Sequence, residues 1–328
     1  INGRKLHDMN ELKQMRSEEV QSVEVINNPG AQYDASVSSV VRIKTIRREG
    51  EGLGFDLNAA NNQDLQNGVS DPSATMNLRY RFKNLDLFGS VNYWKWDQIS
   101  IYKDYVKMYI DRNAYIQEDC VANEHYYSSG LDYNLGFNWQ PGENHSVGAR
   151  IVRRTTVDAG TDWRSVTDIL RYDEYSGLVS SLNESSQDEK RNSPYDWEGN
   201  LYYSGLVGKM GINFNADYLS NRKDMVCNIS DIIDDAEHVE RLQEGVTTSR
   251  LAAAKLVLTY PVWKGQLEAG TEATFVERGN SYSITNYPLP SSDSKVNENN
   301  VSAFASYSFS LPKFGSVSAG LRYEHVGF

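Results

Sequence analysis

Apolar and polar residues alternate with a period of two through most of the chain after residue 50. In VSAFASYSFSL (301–311), alanines, aromatics and other apolar residues fall on one face of an extended chain and serines on the other, with Phe304 as the single exception. This alternation is typical of a β-strand with one apolar and one polar face. It predicts an all-β chain with eleven strands at 53–59, 76–82, 85–93, 131–139, 147–151, 197–203, 212–218, 252–260, 267–275, 301–311 and 317–323.

The connections between these segments fall into two classes that alternate along the chain. Tight turns are predicted at 83–84, 140–145, 208–210, 263–265 and 312–314, and long polar loops at 61–73, 95–130, 154–194, 220–249 and 277–299. A transmembrane β-barrel has short turns at one rim and long loops at the other. The sequence therefore predicts an antiparallel transmembrane β-barrel, and a soluble all-β protein with one wet face is the alternative.

The residues of the apolar faces also suit contact with lipid. Arg and Lys are almost absent there, as expected when each costs about 2–4 kcal/mol at the bilayer midplane. Aromatic residues lie near strand ends, where the aromatic belts of membrane proteins occur: Tyr93, Trp94, Tyr133, Trp139, Tyr218, Tyr260, Trp263 and Tyr323. We therefore expect outer-membrane lipid to be a partner of the apolar face and the bacterial outer membrane to be the location.

Composition and motifs narrow the function. The formal net charge of −11 argues against a nucleic-acid partner, which would require a basic surface. No paired-histidine metal motif and no GxSxG motif occurs, so we expect no metal site, no cofactor and no enzymatic activity. Cys120 and Cys227 could form one disulfide or remain two free thiols.

The first 49 residues have a different pattern and form a separate predicted domain, followed by the barrel at 50–328. LHDMNELKQM (6–15) predicts a short amphipathic helix, and 22–28 and 38–46 predict two strands separated by PGAQYDA. This is a small α+β unit.

The stretch from VQSVEVINNPGAQYDA to VVRIKT resembles the end of the plug domain in TonB-dependent outer-membrane receptors, in the branch called outer-membrane β-barrel family proteins. GLRYEH (320–325) also resembles a strand of such barrels. One departure is that Ser38 and Ser39 stand where many relatives have a glycine pair. The matching positions are Val23, Glu24, Val25, Ile26, Asn28, Pro29, Ala31, Tyr33, Asp34, Ala35, Ile43, Lys44 and Thr45.

The resemblance implies a barrel of 22 strands, of which eleven would be the first half. Together with a start at Ile1 instead of Met, this leads us to expect a fragment that joins the C-terminal part of a plug domain to half a barrel. It also implies TonB-dependent uptake of a nutrient chelate, glycan or peptide. The TonB complex would bind residues upstream of Ile1, and a surface lipoprotein is a further candidate partner. The alternatives are a passive barrel or adhesin, and a soluble secreted β-rich enzyme.

Aromatic residues in the predicted long loops are the candidates for binding an extracellular ligand. Flat apolar side chains beside carboxylates suit sugars, peptides or metal chelates. The alternative is that these side chains only stabilise strand pairing. The candidates are Trp94, Trp96, Tyr126, Tyr127 and Trp163.

Overall fold

A computed structural model describes residues 12, 17, 20–27, 31–33, 37–45, 51–311 and 315–328. Within these residues, one antiparallel sheet of eleven strands runs in sequence order from β3 to β13, and β1 and β2 form a separate two-stranded sheet. The strands are β1 (Val20–Asn27), β2 (Ser39–Thr45), β3 (Gly52–Gln63), β4 (Ser70–Phe82), β5 (Leu85–Tyr109), β6 (Ala114–Gly142), β7 (His145–Asp173), β8 (Gly177–Val207), β9 (Met210–Ile233), β10 (Glu237–Val262), β11 (Gly265–Ile284), β12 (Ser292–Leu311) and β13 (Gly315–Gly327).

The eleven strands predicted from the alternation are confirmed. Each predicted segment lies within one strand from β3 to β13, and each strand pairs antiparallel with its neighbours in sequence. The predicted tight turns at 83–84, 208–210 and 263–265 also join consecutive strands. Alternation and turn residues therefore predict the order of the strands and the tight turns at one end of the sheet.

The predicted long loops are wrong over most of their length. The segment 95–130 is strand except for a connection at 110–113, and 154–194 and 220–249 turn only at 174–176 and 234–236. β8 has 31 residues, about 100 Å at roughly 3.3 Å per residue, whereas about 9–11 tilted residues cross a bilayer. Beyond the membrane both faces of a strand contact water, so the alternation is lost while the backbone pairing continues.

The two faces of the large sheet differ as the alternation predicts. We call the face with Asp132, Asn200, Lys255 and Arg322 the inner face, and the apolar face with the leucines and alanines the outer face. Phe304 lies on the inner face between Ser302 and Ser306 and is 4% exposed. A Cβ built on Gly270 of the neighbouring strand would lie 2.5 Å from Phe304 Cζ, so this ring fills the space that a side chain at Gly270 would take.

The same arrangement of an aromatic ring over a glycine recurs on the inner face. Tyr202 covers Gly148, and a Cβ on that glycine would lie 2.5 Å from Tyr202 Cε1. Trp94 covers Gly130 in the same way. The prediction that Trp94 belongs to an aromatic belt at the lipid surface is therefore wrong, because its side chain lies on the inner face. Such rings shield glycines that loosen a strongly curved sheet.

The predicted strands of the N-terminal unit are confirmed as β1 and β2, which pair antiparallel from Val23↔Ile43 to Asn27↔Ser39. The predicted helix at 6–15 lies outside the described residues except for Leu12, which is helical. Residues 31–33, between the two strands, contact the inner face of the large sheet. Lys255 Nζ donates a hydrogen bond of 2.7 Å to the Gln32 carbonyl and lies 4.7 Å from the centre of the Tyr33 ring.

Among the described residues, no helix is long and apolar enough to cross a membrane. Cys120 on β6 and Cys227 on β9 are both free thiols.

Candidate ligand-binding site

The hydrogen-bonded ladder between β7 and β8 is interrupted in its middle. Pairing runs from His145↔Gly205 to Arg153↔Trp197 and resumes, in the same register, at Gly160↔Lys190. The pairings on either side, of β6 with β7 and of β8 with β9, have register shifts at Ser129/Gly130 on β6 and at Asn192/Tyr195 on β8. The two strands therefore separate at 154–159 and 191–196 without losing their alignment.

Local sequence explains this opening. Pro194 has no backbone N–H and cannot donate to a ladder. Side chains replace some of the missing backbone bonds: Arg153 Nη2 donates to the Pro194 carbonyl at 2.8 Å, Ser193 Oγ to the Arg222 carbonyl at 3.1 Å and Thr155 Oγ1 to the Leu131 carbonyl at 2.6 Å. The opening is therefore held by specific contacts on both sides.

A cavity of about 570 Å³ lies at this opening, within the range of about 300–1,000 Å³ for small-molecule sites. Its lining includes residues from every strand between β5 and β11. Seven flat strands would span about 29 Å at roughly 4.8 Å per spacing, wider than the cavity, so the sheet must curl around its inner face. The lining residues used below are Trp94, Tyr126, Asp132, Arg154, Arg191, Asp196 and Lys223.

Charged side chains surround the cavity in nearly balanced numbers. Arg154 contacts Asp196 at 3.4 Å and Glu198 at 2.9 Å. Arg191 forms an ion pair with Glu189 and lies over the Tyr126 ring, 5.4 Å from its centre. These two cations are thus matched by carboxylates across or along the strands.

Lys223 differs from the two arginines. It lines the cavity and is exposed, and within the part of the chain that the structure describes it forms no ion pair or hydrogen bond. The carboxylate of Asp132, on the opposite side of the opening, accepts a hydrogen bond of 3.5 Å from Asn92 Nδ2. The cavity thus offers one cation that carries no protein carboxylate.

The structure brings together three of the five predicted ligand-binding residues. Trp94 and Tyr126 line the cavity, and Trp96 packs edge-on against Tyr126 with ring centres 6.3 Å apart. Trp163 lies farther along the strands, where it packs against Tyr102 at 5.5 Å. Tyr127 lies apart from the cavity: it follows Tyr126 on β6, so its side chain is on the outer face, beside His125.

The residues of the plug motif are divided between the two small strands and the segment that joins them. Val23 to Ile26 lie in β1 and Ile43 to Thr45 in β2, whereas Ala31 and Tyr33 lie between these strands. Asn28, Pro29, Asp34 and Ala35 lie outside the described residues. Only part of the motif can therefore be related to the inner face.

Beyond the predicted membrane-crossing segment of β5, the outer face carries a charged cluster. Asp97 accepts from Lys95 at 2.8 Å and contacts His125 Nε2 at 2.7 Å. Burial raises the pKa of Asp97, but the hydrogen bonds from Lys95 and His125 outweigh it and hold that pKa below its ordinary value. Asp97 is therefore an ionised anchor between β5 and β6.

The cations of the cavity were not among the predicted site residues, because 154–194 and 220–249 were predicted to be loops. Asp132 was predicted only as part of a polar strand face. Pro194, the one proline within β8, was the available signal for a break in pairing. Among the described residues, no group of three or more His, Cys, Asp or Glu side chains is arranged to hold a metal ion.

Residues 208–328, from the turn before β9 to the end of the chain, match the model of the family described as "Outer membrane protein beta-barrel family". No curated protein matches the chain. The matched region is the half of the large sheet that includes Lys255, Phe304 and Arg322. The protein is an outer-membrane β-barrel protein, located in the outer membrane of bacteria.

Proposed function

We propose that the protein is an outer-membrane receptor that binds a nutrient ligand and imports it with energy delivered through a TonB-type complex. Its role would be binding and transport rather than catalysis. One observation carries the proposal: a segment that precedes the barrel strands contacts the inner face of the sheet. The Gln32 carbonyl accepts from Lys255 Nζ at 2.7 Å and from Arg322 Nη1 at 3.5 Å.

The contacts of this segment suit a plug that must be held and then moved. Lys255 and Arg322 also contact the Glu272 carboxylate, at 3.3 Å and 3.5 Å, so the two cations are positioned by the barrel wall itself. A hydrogen bond from a charged group contributes about 1.5–3 kcal/mol net. A plug held by such bonds can close the lumen at rest and still be displaced by a modest pull.

The polar cavity supports the same proposal from the other side. It opens on the inner face, as a ligand on its way through the barrel would require, and it combines aromatic rings with charged and hydroxyl groups. Residues 1–49 would then be the C-terminal part of the plug, and 50–328 the first half of the barrel.

The second candidate function is that of a passive barrel or adhesin. It draws support from the strands beyond the membrane, where Tyr109, Tyr115 and Tyr172 form a row of rings with centres 6.2 and 5.4 Å apart. Exposed rings on neighbouring strands could bind a surface instead of a solute. An outer-membrane location does not fit the third expectation, a soluble secreted enzyme.

Uptake by cells that produce the full-length protein tests the proposal. Radiolabelled ferric chelates, oligosaccharides and short peptides would be offered to these cells and to cells with the empty vector. We expect one class to accumulate, and its accumulation to stop with a protonophore or when the host lacks the TonB protein. Accumulation that persists under both treatments would identify a passive barrel, and binding of cells to a surface without accumulation would identify an adhesin.

A further inference from the structure

We infer that the cavity between β7 and β8 binds a short acidic oligosaccharide, with the acid group on Lys223 and a sugar ring against the aromatic wall. The inference names the ligand class of the proposed receptor and so rests on that function for its biological meaning. The binding itself is a property of the folded barrel and can be measured without transport.

The aromatic wall indicates a ligand with flat, weakly apolar faces. One side of the Trp94 ring packs on Gly130, where a Cβ would lie 2.7 Å from Trp94 Cζ2. The other side of the ring faces the cavity. Tyr126 is held in place by the Arg191 guanidinium over its ring and by the edge of Trp96. Rings fixed in this way offer contact area with little loss of side-chain entropy when a ligand binds.

The polar lining indicates a ligand rich in hydroxyl groups. Sugar hydroxyls both donate and accept hydrogen bonds, so they require partners of both kinds. Carboxylates of Asp132 and Asp196 accept, whereas Arg154 and Arg191 donate. Other side chains around the cavity have a hydroxyl that can donate or accept a hydrogen bond, or an amide with a donor and an acceptor atom. They are Ser128, Thr156, Asn192, Ser193, Thr247, Asn280 and Ser281.

The charges limit how acidic the ligand can be. A polyanion such as a phosphate-rich or multiply carboxylated ligand would place negative charge against Asp132 and Asp196, and like charges at close range are unfavourable. The arginines are already matched by Asp196, Glu198 and Glu189. Lys223 is the cation left for a ligand, so one acid group per binding site is what the lining accommodates.

Calorimetry on the purified full-length protein in detergent tests the inference with two probes that differ only in charge. Aldotriouronic acid, a trisaccharide with a single uronic acid, and its methyl ester have the same rings, but only the first carries a carboxylate. We expect the acid to bind at least about tenfold more tightly, the ratio that one charge-assisted hydrogen bond supplies. Equal affinity for the two probes, or binding of neither, would overturn the inference.

Three variants locate the site. Lys223→Gln is expected to abolish the preference for the acid, while Lys103→Gln, the same change on an exposed lysine of β5 on the outer face, is expected to leave it intact. Tyr126→Leu is expected to weaken both probes to a similar extent. A Lys223→Gln protein that still prefers the acid would contradict the inference.

The binding and uptake experiments distinguish a failure of the inference from a failure of the proposed function. Acid-selective binding without energy-dependent accumulation would support the inference and contradict the proposed function. Energy-dependent accumulation of another solute by a protein that binds neither probe would support the function and overturn the inference.

Discussion

The phenyl ring of Phe304 on β12 occupies the place of the side chain that Gly270 on β11 lacks. A Cβ on Gly270 would lie 2.5 Å from Phe304 Cζ and would also contact the Leu256 carbonyl oxygen. The ring lies under the two cations that contact residues 31–33, with its centre 5.8 Å from Lys255 Nζ and 5.9 Å from Arg322 Cζ. Phe304, the one residue that breaks the alternation of 301–311, thus packs within the part of the sheet that the N-terminal segment contacts.

Gly270→Ala should therefore destabilise the barrel. Overpacking a well-filled site costs typically about 1–3 kcal/mol, and here both a ring and a carbonyl must move. Urea titration of the full-length protein in lipid vesicles, followed by tryptophan fluorescence, measures the change. Gly199→Ala is the matched control, because a Cβ at Gly199 meets nothing within 4 Å. Equal stability of the two variants would contradict the packing role of Phe304.

Ala305→Arg tests which face of β12 contacts lipid. Ala305 lies on the outer face about halfway along the predicted membrane-crossing segment, so an arginine there should cost about 2–4 kcal/mol. Ser308→Arg places the same residue on the inner face of the same strand, where water and polar groups are available, and should cost less. The same urea titration in vesicles compares the two, and a larger loss for Ser308→Arg would mean that the faces are reversed.

Arg154→Gln should destabilise the wall of the cavity. Arg154 bridges Asp196 and Glu198 with its side chain about two thirds buried, and its loss leaves two carboxylates facing each other without a cation. We expect a loss of about 1–3 kcal/mol. Arg164→Gln removes the more exposed contact to Asp188 and should change stability by at most about 1 kcal/mol. Similar effects of both variants, by the same titration, would refute a special role for Arg154.

The part of the fold that was predictable from the sequence is the part that lies in the membrane. Lipid on one side and water or protein on the other impose a period of two, as in Ala303, Ala305 and Tyr307, so strands and turns were visible. Beyond the membrane, β5 to β10 have water on both faces, and the same pairing leaves no alternation in residues 95–130. The long strands were therefore mistaken for loops.

The candidate site was only partly predictable for a related reason. Trp94 and Tyr126 were visible as aromatic residues near carboxylates, but their meeting with Arg191 and Lys223 depends on the opening between β7 and β8. That opening lies between two paired strands, at 154–159 and 191–196. Most of these residues were predicted to belong to one loop, 154–194, so a break in strand pairing could not be foreseen there. Only Pro194 marks it in the sequence.

Asp97 predicts a pH dependence at the base of the extended strands. Its pKa is lowered in the folded protein, despite burial, by the hydrogen bonds from Lys95 and His125. A lowered pKa gives stability that is present above the unfolded pKa, about 3.9, and is lost as the pH falls through the lower folded pKa. Hydrogen exchange in 95–99 and 123–127 should therefore be faster in Asp97→Asn than in wild type at pH 6, and the difference should shrink as the pH falls below the unfolded pKa and through the lower folded pKa.

Asp119→Asn serves as the control for that comparison. Asp119 lies on β6 and accepts a hydrogen bond from Gln117 of its own strand, so its replacement should leave exchange in 95–99 unchanged. A difference between wild type and Asp97→Asn that stays constant from pH 6 to pH 3 would rule out the ionic contacts as its cause.

Photocrosslinking from position 33 shows whether a segment preceding the barrel lies against its inner wall. p-Benzoylphenylalanine would replace Tyr33 in the full-length protein, and isolated outer membranes would be irradiated and analysed by mass spectrometry. Because Lys255 Nζ lies 4.7 Å from the centre of the Tyr33 ring, we expect adducts on β10 around Lys255. Adducts with lipid or with other proteins, and none with inner-face residues of the barrel, would contradict that arrangement.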